Sequence, residues 1–183
     1  MNLKTSGKLY YLLIGWTLYL GWGSVSLAAN QGNGRVSMQG SIIDTACAID
    51  MVSRYQVIEV MTLPLGQIMR DGRGAKVPLG IRLVNCTLTP SKPGQPDWSS
   101  FVVTFDGLST RGNLFGIGGG AEGIGIEIAD ANGVVAIPGV PMPAGKLKEG
   151  SIQLDYTLSL VGNKDTLRPG NYQASVRFKL DYF

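Results

Sequence analysis

The chain has 183 residues, of which 44% are hydrophobic and 16% charged, and its formal net charge is +3. This length and apolar content suit one folded domain and exclude an intrinsically disordered chain. The Lys and Arg residues form no cluster, which excludes nucleic-acid binding. The sequence contains no histidine, which excludes Ser-His-Asp and Cys-His nucleophilic sites and imidazole metal ligands.

The first residues have the layout of a secretory signal peptide. Lys4 and Lys8 provide a positively charged start, residues 12–20 an apolar centre, and residues 26–28 (Ser-Leu-Ala) a small-residue cleavage site. We expect residues 1–28 to be removed during export. The alternative is a retained membrane anchor, which the glycines and serines of this stretch disfavour because they lower its hydropathy.

The two cysteines of the chain are Cys47 and Cys86. In an exported protein such a pair is expected to form a disulfide bond. The bond closes a loop of roughly 40 residues and restricts the unfolded state. A metal site would need further ligands, and redox catalysis favours closely spaced cysteines. We therefore expect a structural disulfide.

After the signal peptide, apolar and polar residues alternate in short runs separated by turn residues. Residues 88–100 contain three closely spaced prolines and are predicted to form an exposed loop, and Asn132-Gly133 predicts a tight hairpin turn. Strands are predicted, in chain order, in 35–49, 55–63, 77–86, 101–107, 124–137, 151–162 and 170–183. Such a series predicts an antiparallel β-sandwich with neither a second domain nor an internal repeat.

Candidate ligand and catalytic motifs are weak. Residues 118–123 (GGGAEG) match a dinucleotide-binding spacing, but a predicted strand follows them where that motif needs a helix. The Asp and Glu residues are scattered at turns, although two of them meeting as a hydrolase pair stays open. Trp98 has two interpretations, a surface for stacking on a sugar or a cover for the sandwich edge. We expect no enzymatic activity and no cofactor.

The last predicted strand has the features of an unprotected sheet edge. Its even-numbered residues are mostly apolar and its odd-numbered residues polar, which predicts one buried and one solvated face. Edge strands are usually blunted by prolines, bulges or inward charges, and none of these features occurs between 171 and 183. The pattern suggests an edge that receives a strand from another molecule.

Residues 29–40 form a second candidate element, at the start of the mature chain. In this segment small or apolar residues alternate with polar ones, and two of the small residues are glycines. If the segment were a strand, one face would carry Gly32, Gly34, Val36 and Met38. It is a plausible donor arm that inserts into a neighbour's open edge, with main-chain hydrogen bonds giving affinity and alternate side chains giving specificity. Two alternatives stay open at this point: a first strand of the chain's own sheet, or a disordered arm.

These segments together resemble the subunits of chaperone–usher fimbriae, the pilins of type 1 and P pili. The resemblance covers essentially the whole mature length. It rests on the segments GRVSMQGSIIDTACAID and IRLVNC with their cysteines, FVVTFDG, GIGIEIADANG, and the ending GNYQASVRFKLDYF. The spacing of the cysteines and the pattern of the last strand carry most of its specificity.

The resemblance implies an incomplete immunoglobulin-like antiparallel β-sandwich that is completed by a donor strand from another chain. A periplasmic chaperone would lend a strand beside the last strand and hold the carboxylate of Phe183. At an outer-membrane usher, the arm of a neighbouring subunit would replace the chaperone strand. The acceptor residues implied are Tyr172, Val176, Phe178, Leu180, Tyr182 and Phe183, and the donor residues are Gly32, Gly34, Val36 and Met38.

The prediction is therefore a structural pilus subunit, exported through the periplasm to the cell surface, with no small-molecule substrate. Its expected organisation is a signal peptide over 1–28, a donor arm over 29–40 and a pilin domain over 41–183. A minor subunit is favoured. The alternatives are a terminator or anchor subunit of the same family, and a secreted carbohydrate-binding β-sandwich.

Overall fold

A computed structural model describes residues 35–40 and 42–183. The predicted signal peptide, together with Gly32 and Gly34, lies outside the described residues. Residues 35–40 adopt neither helix nor strand, and the side chains of Val36 and Met38 are each 95% exposed. Residues 42–183 form a separate compact unit, which contains every strand and helix described below.

The unit is built almost entirely from antiparallel strands. In the described residues, no helix is both long and apolar enough to cross a membrane. The strands are β1 (Ala48–Ile49), β2 (Val77–Cys86), β3 (Ser100–Gly107), β4 (Ser109–Thr110), β5 (Leu114–Phe115), β6 (Gly118–Gly119), β7 (Ile124–Asp130), β8 (Gly145–Lys146), β9 (Gly150–Gly162), β10 (Tyr172–Gln173) and β11 (Val176–Tyr182). The helices are α1 (Met51–Arg54) and α2 (Leu65–Asp71), with a 3-10 turn at Arg111–Asn113.

These strands pair into three antiparallel sheets. The largest has the order β1-β2-β9-β7-β5-β4, the second β11-β3-β8, and β6 pairs with β10. In the second sheet, β11 follows β3 in unbroken register from Val176 opposite Gly107 to Tyr182 opposite Phe101. In that sheet β11 pairs with β3 alone, so β11 is an edge strand.

The hydrophobic core joins residues of the two larger sheets. Ile81, Leu83, Ile128 and Leu160 of the six-stranded sheet are at most 2% exposed, as is Phe105 of β3. Each large apolar side chain buried in this way contributes roughly 1.5–3 kcal/mol. The period-two alternation of β2 and β9 thus places one face of that sheet in the core, as the sequence predicted, and the fold is the predicted antiparallel sandwich.

The disulfide between Cys47 and Cys86 is present in the structure. It joins the residue before β1 to the end of β2, and both cysteines are only 4% exposed. Beside it, the Thr87 N–H donates to the Ala46 carbonyl at 2.8 Å. The bond therefore fixes the start of the sandwich to its second strand.

Three sequence-based element predictions are wrong. Residues 35–40 and 55–63 form no strand. The predicted turn at Asn132-Gly133 is present, and the Gly133 N–H donates to the Asp130 carbonyl at 3.0 Å. The second strand predicted after it is wrong, because only a single bridge follows, between Val135 and Ala129. Two short helices were not predicted. The Asp50 carboxylate caps the first by accepting from the Val52 N–H at 3.0 Å, a local bond that strand periodicity does not reveal.

Candidate binding groove beside the last strand

A long groove of about 1350 Å³ runs between the two larger sheets. One side is formed by β11 and the residues before it, and the other by the irregular segment 56–63. Its apolar floor comes from both sheets and consists of Leu79, Phe105, Ile124, Ile126, Ile128, Leu158 and Leu160. Several of these residues also belong to the core and are almost fully buried, so the groove lies directly over the core. Its more accessible floor residues are Leu79 and Ile124.

The first side of the groove carries unpaired main-chain groups. Phe183 and Ser100 form a hydrogen-bonded pair. The Ser100 N–H donates to the Phe183 carbonyl at 3.0 Å, and the Phe183 N–H donates to the Ser100 carbonyl at 2.9 Å. Hydrogen-bonded and non-hydrogen-bonded pairs alternate along an antiparallel ladder. The inward-facing residues of β11 therefore direct their N–H and C=O groups away from β3, toward the free edge. These residues are Val176, Phe178, Leu180 and Tyr182.

The second side of the groove is an extended segment without a partner strand. Ile58, Val60 and Leu63 are half-buried and pack against the core, whereas Val57 is 92% exposed and Met61 80% exposed. No main-chain hydrogen bond joins residues 56–63 to any other described residue. Buried and exposed side chains thus alternate from Val57 to Met61, as in a strand. The segment is not a strand because no other described segment pairs with it.

Two main-chain segments that line the groove cross closely. Glu122 and Arg168 exchange main-chain hydrogen bonds of 3.2 and 3.1 Å, and their side chains form an exposed ion pair. Gly123 lies in this crossing with φ of +80°, and a Cβ there would be 2.7 Å from the Thr166 carbonyl oxygen. The glycine-rich connection thus permits a backbone contact that side chains would prevent, and strand β7 follows it directly.

The structure brings only some of the predicted acceptor residues into the groove. Tyr172, Val176 and Phe178 line it, and the Phe178 ring lies 6.3 Å from that of Phe105. Leu180 and Tyr182 lie farther along β11 and pack against the core outside the groove lining.

The far end of β11 has a different environment. The Tyr182 hydroxyl donates to the Cys47 carbonyl at 3.5 Å. The Phe183 side chain is 64% exposed, while its main-chain oxygen accepts from the N–H groups of Ser99 and Ser100. Phe183 therefore contributes backbone pairing to β3 and leaves its ring in solvent.

Burial changes the ionisation of three tyrosines near the core and the groove. It raises the pKa of Tyr156 to about 12, with the Asp130 carboxylate adding to the effect. Burial also raises the pKa of Tyr172. The pKa of Tyr182 is raised by burial and partly lowered again by a hydrogen bond with Thr45. These shifts extend the pH range over which the three hydroxyl groups stay protonated further into alkaline pH.

The remaining candidate residues do not assemble a second site. Trp98 is half-buried against the core, and its main-chain N–H donates to the Leu88 carbonyl at 2.7 Å, which fits the interpretation as an edge cover. Across residues 35–40 and 42–183, no cluster of three or more metal-ligating side chains occurs. The groove is the feature with the clearest capacity to bind a partner.

Comparisons with known proteins point to one family. The chain is 35% identical over 153 residues to the PRS fimbrial minor pilin protein of Escherichia coli, covering 82% of this chain and 77% of that protein. The crystal structure of the P pilus rod subunit PapA matches with a TM-score of 0.69 and 25% identity, covering 76% of this chain and all of PapA. A subunit in a chaperone–usher pilus structure matches with a TM-score of 0.67 and 26% identity over 85% of this chain and 98% of that subunit. No protein-family model matches the sequence.

Proposed function

Since this chain belongs to the chaperone–usher fimbrial subunits and is a structural subunit of a cell-surface pilus, we propose that its groove takes up a β-strand from a partner during assembly. The observation that carries the proposal is a pair of main-chain edges, β11 and residues 56–63, that border one apolar floor and have no further strand partner among the described residues. A strand placed between them would satisfy both edges and cover the floor.

The energetics favour a tight but exchangeable complex. Val176 and Phe178 stay partly exposed in the groove. Apolar side chains of an inserted strand would bury them and would themselves leave water, at roughly 1.5–3 kcal/mol for each large side chain. A net main-chain hydrogen bond adds about 0.5–1.5 kcal/mol. Because the subunit alone leaves this surface open, its stability would depend on the occupant.

We assign the donor role to residues 29–40, with Gly32, Gly34, Val36 and Met38 on the inserted face. The almost complete exposure of Val36 and Met38 supports this role, because apolar side chains without packing partners are available to another molecule. A periplasmic chaperone would occupy the groove first, and a neighbouring subunit's arm would replace it at an outer-membrane usher.

The proposed acceptor face consists of Tyr172, Val176, Phe178, Leu180 and Tyr182. The first three line the groove, and Leu180 and Tyr182 would pair through their main-chain groups at its extension. For Phe183 we propose a carboxylate contact with the chaperone, supported by its exposed side chain at the end of β11. The pilin domain would span 41–183, preceded by the signal peptide over 1–28, and we propose no catalytic activity.

Within the pilus, we propose a minor subunit. The support is the 34% identity to the PAP minor pilin over 153 residues, compared with 30% to the Pap major pilin over 159 residues. A terminator or anchor subunit of the same family is the second candidate. The two roles differ in whether an incoming arm can replace the chaperone.

The test is a strand exchange with a defined peptide. The chaperone-bound subunit is mixed with a peptide copying residues 30–42, and chaperone release is followed by native gel and size-exclusion chromatography. Release with formation of a subunit–peptide complex, together with slower amide exchange in β11, is the expected result. A terminator would retain its chaperone. A subunit that folds without chaperone or peptide and protects its own β11 edge would contradict the assembly role.

A further inference from the structure

The chain between the donor arm and β1 is held to the sandwich by several contacts, and we call residues 44–47 the arm root. Ala46 is fully buried, and its carbonyl accepts from the Thr87 N–H at 2.8 Å. Cys47 is joined to Cys86 by the disulfide bond. These two attachments fix the arm root beside the end of β2.

Asp44 adds a further attachment on the side of the arm. Its two carboxylate oxygens accept from the Ser91 main-chain N–H at 3.2 and 3.5 Å. The main-chain pairing with β2 begins at Ala48, opposite Val84, and the bonds of Ala46 and Asp44 follow at every second residue toward the arm. A side chain thus continues the pairing beyond the last main-chain bond.

The Ser91 N–H is presented from an anchored part of the loop 88–100. Leu88 packs against the core, and its carbonyl accepts from the Trp98 N–H at 2.7 Å. Pro90, the residue directly before Ser91, is buried. The donor therefore has a fixed position, and an ionised acceptor such as a carboxylate makes a stronger hydrogen bond than a neutral one.

The attachment ends at Asp44. The side chains of Ile42 and Ile43 are exposed, and neither residue forms a main-chain hydrogen bond with another described residue. The free link between the proposed donor arm and Asp44 therefore consists of residues 41–43, which span about 10 Å when extended. Without the Asp44 contact, the next main-chain attachment is that of Ala46, and the link could lengthen to about 17 Å.

We propose that Asp44 is a positioning residue, which fixes the point where the donor arm leaves its subunit. It thereby restricts the orientation of that subunit relative to the neighbour that holds the arm. This inference rests on the proposed donor role of the arm. Asp44 is exposed and is not among the residues that line the groove, so its role lies in the junction between two subunits and not in strand binding.

A complex of two subunits makes this restriction measurable. The donor subunit has its groove filled by the peptide copying residues 30–42. The acceptor subunit lacks residues 31–39, so that assembly stops at two, and it is refolded in the presence of the donor so that chaperone release is not required. Ala131→Cys places one spin label on an exposed turn of each subunit, because both native cysteines are already in the disulfide bond.

The distances between the two labels are measured by double electron–electron resonance. We expect a narrow distribution for the wild-type donor. For Asp44→Ala we expect a distribution that is about 1.3-fold wider, because the spread of a flexible link grows roughly as the square root of its length. A distribution of the same width in both donors would overturn the inference.

Two matched variants of the donor test the hydrogen bond itself. Ser91→Ala keeps the main-chain N–H that donates to Asp44, so the distribution should stay narrow. Asp44→Asn keeps a carbonyl oxygen as acceptor and should retain most of the restriction. Widening in Ser91→Ala, or a distribution in Asp44→Asn as wide as in Asp44→Ala, would contradict the assignment of the restriction to this bond.

Peptide binding separates this inference from the function on which it rests. The Asp44→Ala subunit should bind the peptide copying residues 30–42 with the wild-type dissociation constant and unfold at the same denaturant concentration, because the groove and the core are unchanged. If the wild-type complex forms and Asp44→Ala does not alter its width, the positioning role alone is wrong. If the wild-type donor forms no complex, the donor role of the arm is contradicted together with the inference.

Discussion

The two edges of the β11-β3-β8 sheet are built in opposite ways. At the β8 side, the strand has only two residues, and the chain before it carries Pro138, Pro141 and Pro143. Gly139 and Met142 donate to the Phe105 and Val103 carbonyls at 2.8 and 2.9 Å, so this side of β3 is already paired. Prolines and short strands are common means of protecting an edge.

The β11 edge has none of this protection. It runs for seven residues without proline, and its charged residues point away from the core and pair on the surface, Arg177 with Asp106 at 3.0 Å and Lys179 with Asp181 at 2.9 Å. The same sheet therefore closes one edge and leaves the other available. The comparison indicates that the open edge is a specific feature of the fold, as expected for a subunit that receives a strand.

The largest expected effect comes from placing a charge on the open edge. Phe178→Asp puts a carboxylate on the face of β11 that lines the groove, where burial without a partner is strongly unfavourable. We expect loss of chaperone capture and of peptide binding, followed by degradation in the periplasm. Co-purification with the chaperone measures the effect. Lys179→Asp places the same residue on the exposed face and serves as the matched control.

A deletion of the arm tests the donor role independently of the acceptor edge at β11. Removing residues 31–39 should leave a folded, chaperone-bound subunit, because the acceptor edge is unchanged. The same subunit should fail to enter the groove of its neighbour, which reconstitution of chaperone-bound subunits can measure. Normal incorporation of the truncated subunit into pili would show that the arm is not the donor.

A smaller effect is expected at Gly123, where two main-chain segments that line the groove cross. Gly123→Ala introduces a Cβ at a φ of +80° and against the Thr166 carbonyl oxygen, so we expect a loss of about 1–3 kcal/mol in the free energy of unfolding. Gly120→Ala is the control, because a Cβ at that residue would have no other atom within 4 Å. Denaturant unfolding of the peptide-bound subunit measures both changes, and equal stabilities would contradict the proposed close crossing.

The smallest effect concerns Tyr156 in the core, and it is a change in the free energy of unfolding at alkaline pH. The Tyr156 ring packs edge-to-face on Phe105 at 5.0 Å, and its pKa is raised from 10.0 to about 12. An unfolded tyrosine ionises near pH 10, so the folded state retains more protons between pH 10 and 12 and loses stability there as the pH rises. The slope of this contribution is at most about 1.4 kcal/mol per pH unit.

Tyr156→Phe should reduce this alkaline loss, measured as the free energy of unfolding against pH. Tyr55→Phe, at a position that is 84% exposed, is the control for removing a hydroxyl from the surface. An alkaline slope that is the same in wild type and Tyr156→Phe would mean that this buried hydroxyl does not account for the pH dependence.

Much of the sandwich could be predicted from local sequence patterns. The alternation in residues 77–86 and in the last strand predicted β2 and β11, because a strand with one buried face needs one apolar parity. The paired cysteines likewise predicted their bond. The short helix α1 could not be predicted in this way, because a side-chain cap from Asp50 determines it.

The order of residues defines which segments can be strands and which of their faces are apolar, because side-chain direction in a strand alternates with residue number. Whether such a strand has a neighbour depends on how the whole chain folds. In the described part of the chain, residues 56–63 have a strand pattern but no main-chain partner, and β11 pairs with β3 alone. Both depend on where distant segments meet, because hydrogen-bond partners and burial are properties of the assembled chain and are not encoded at any single position.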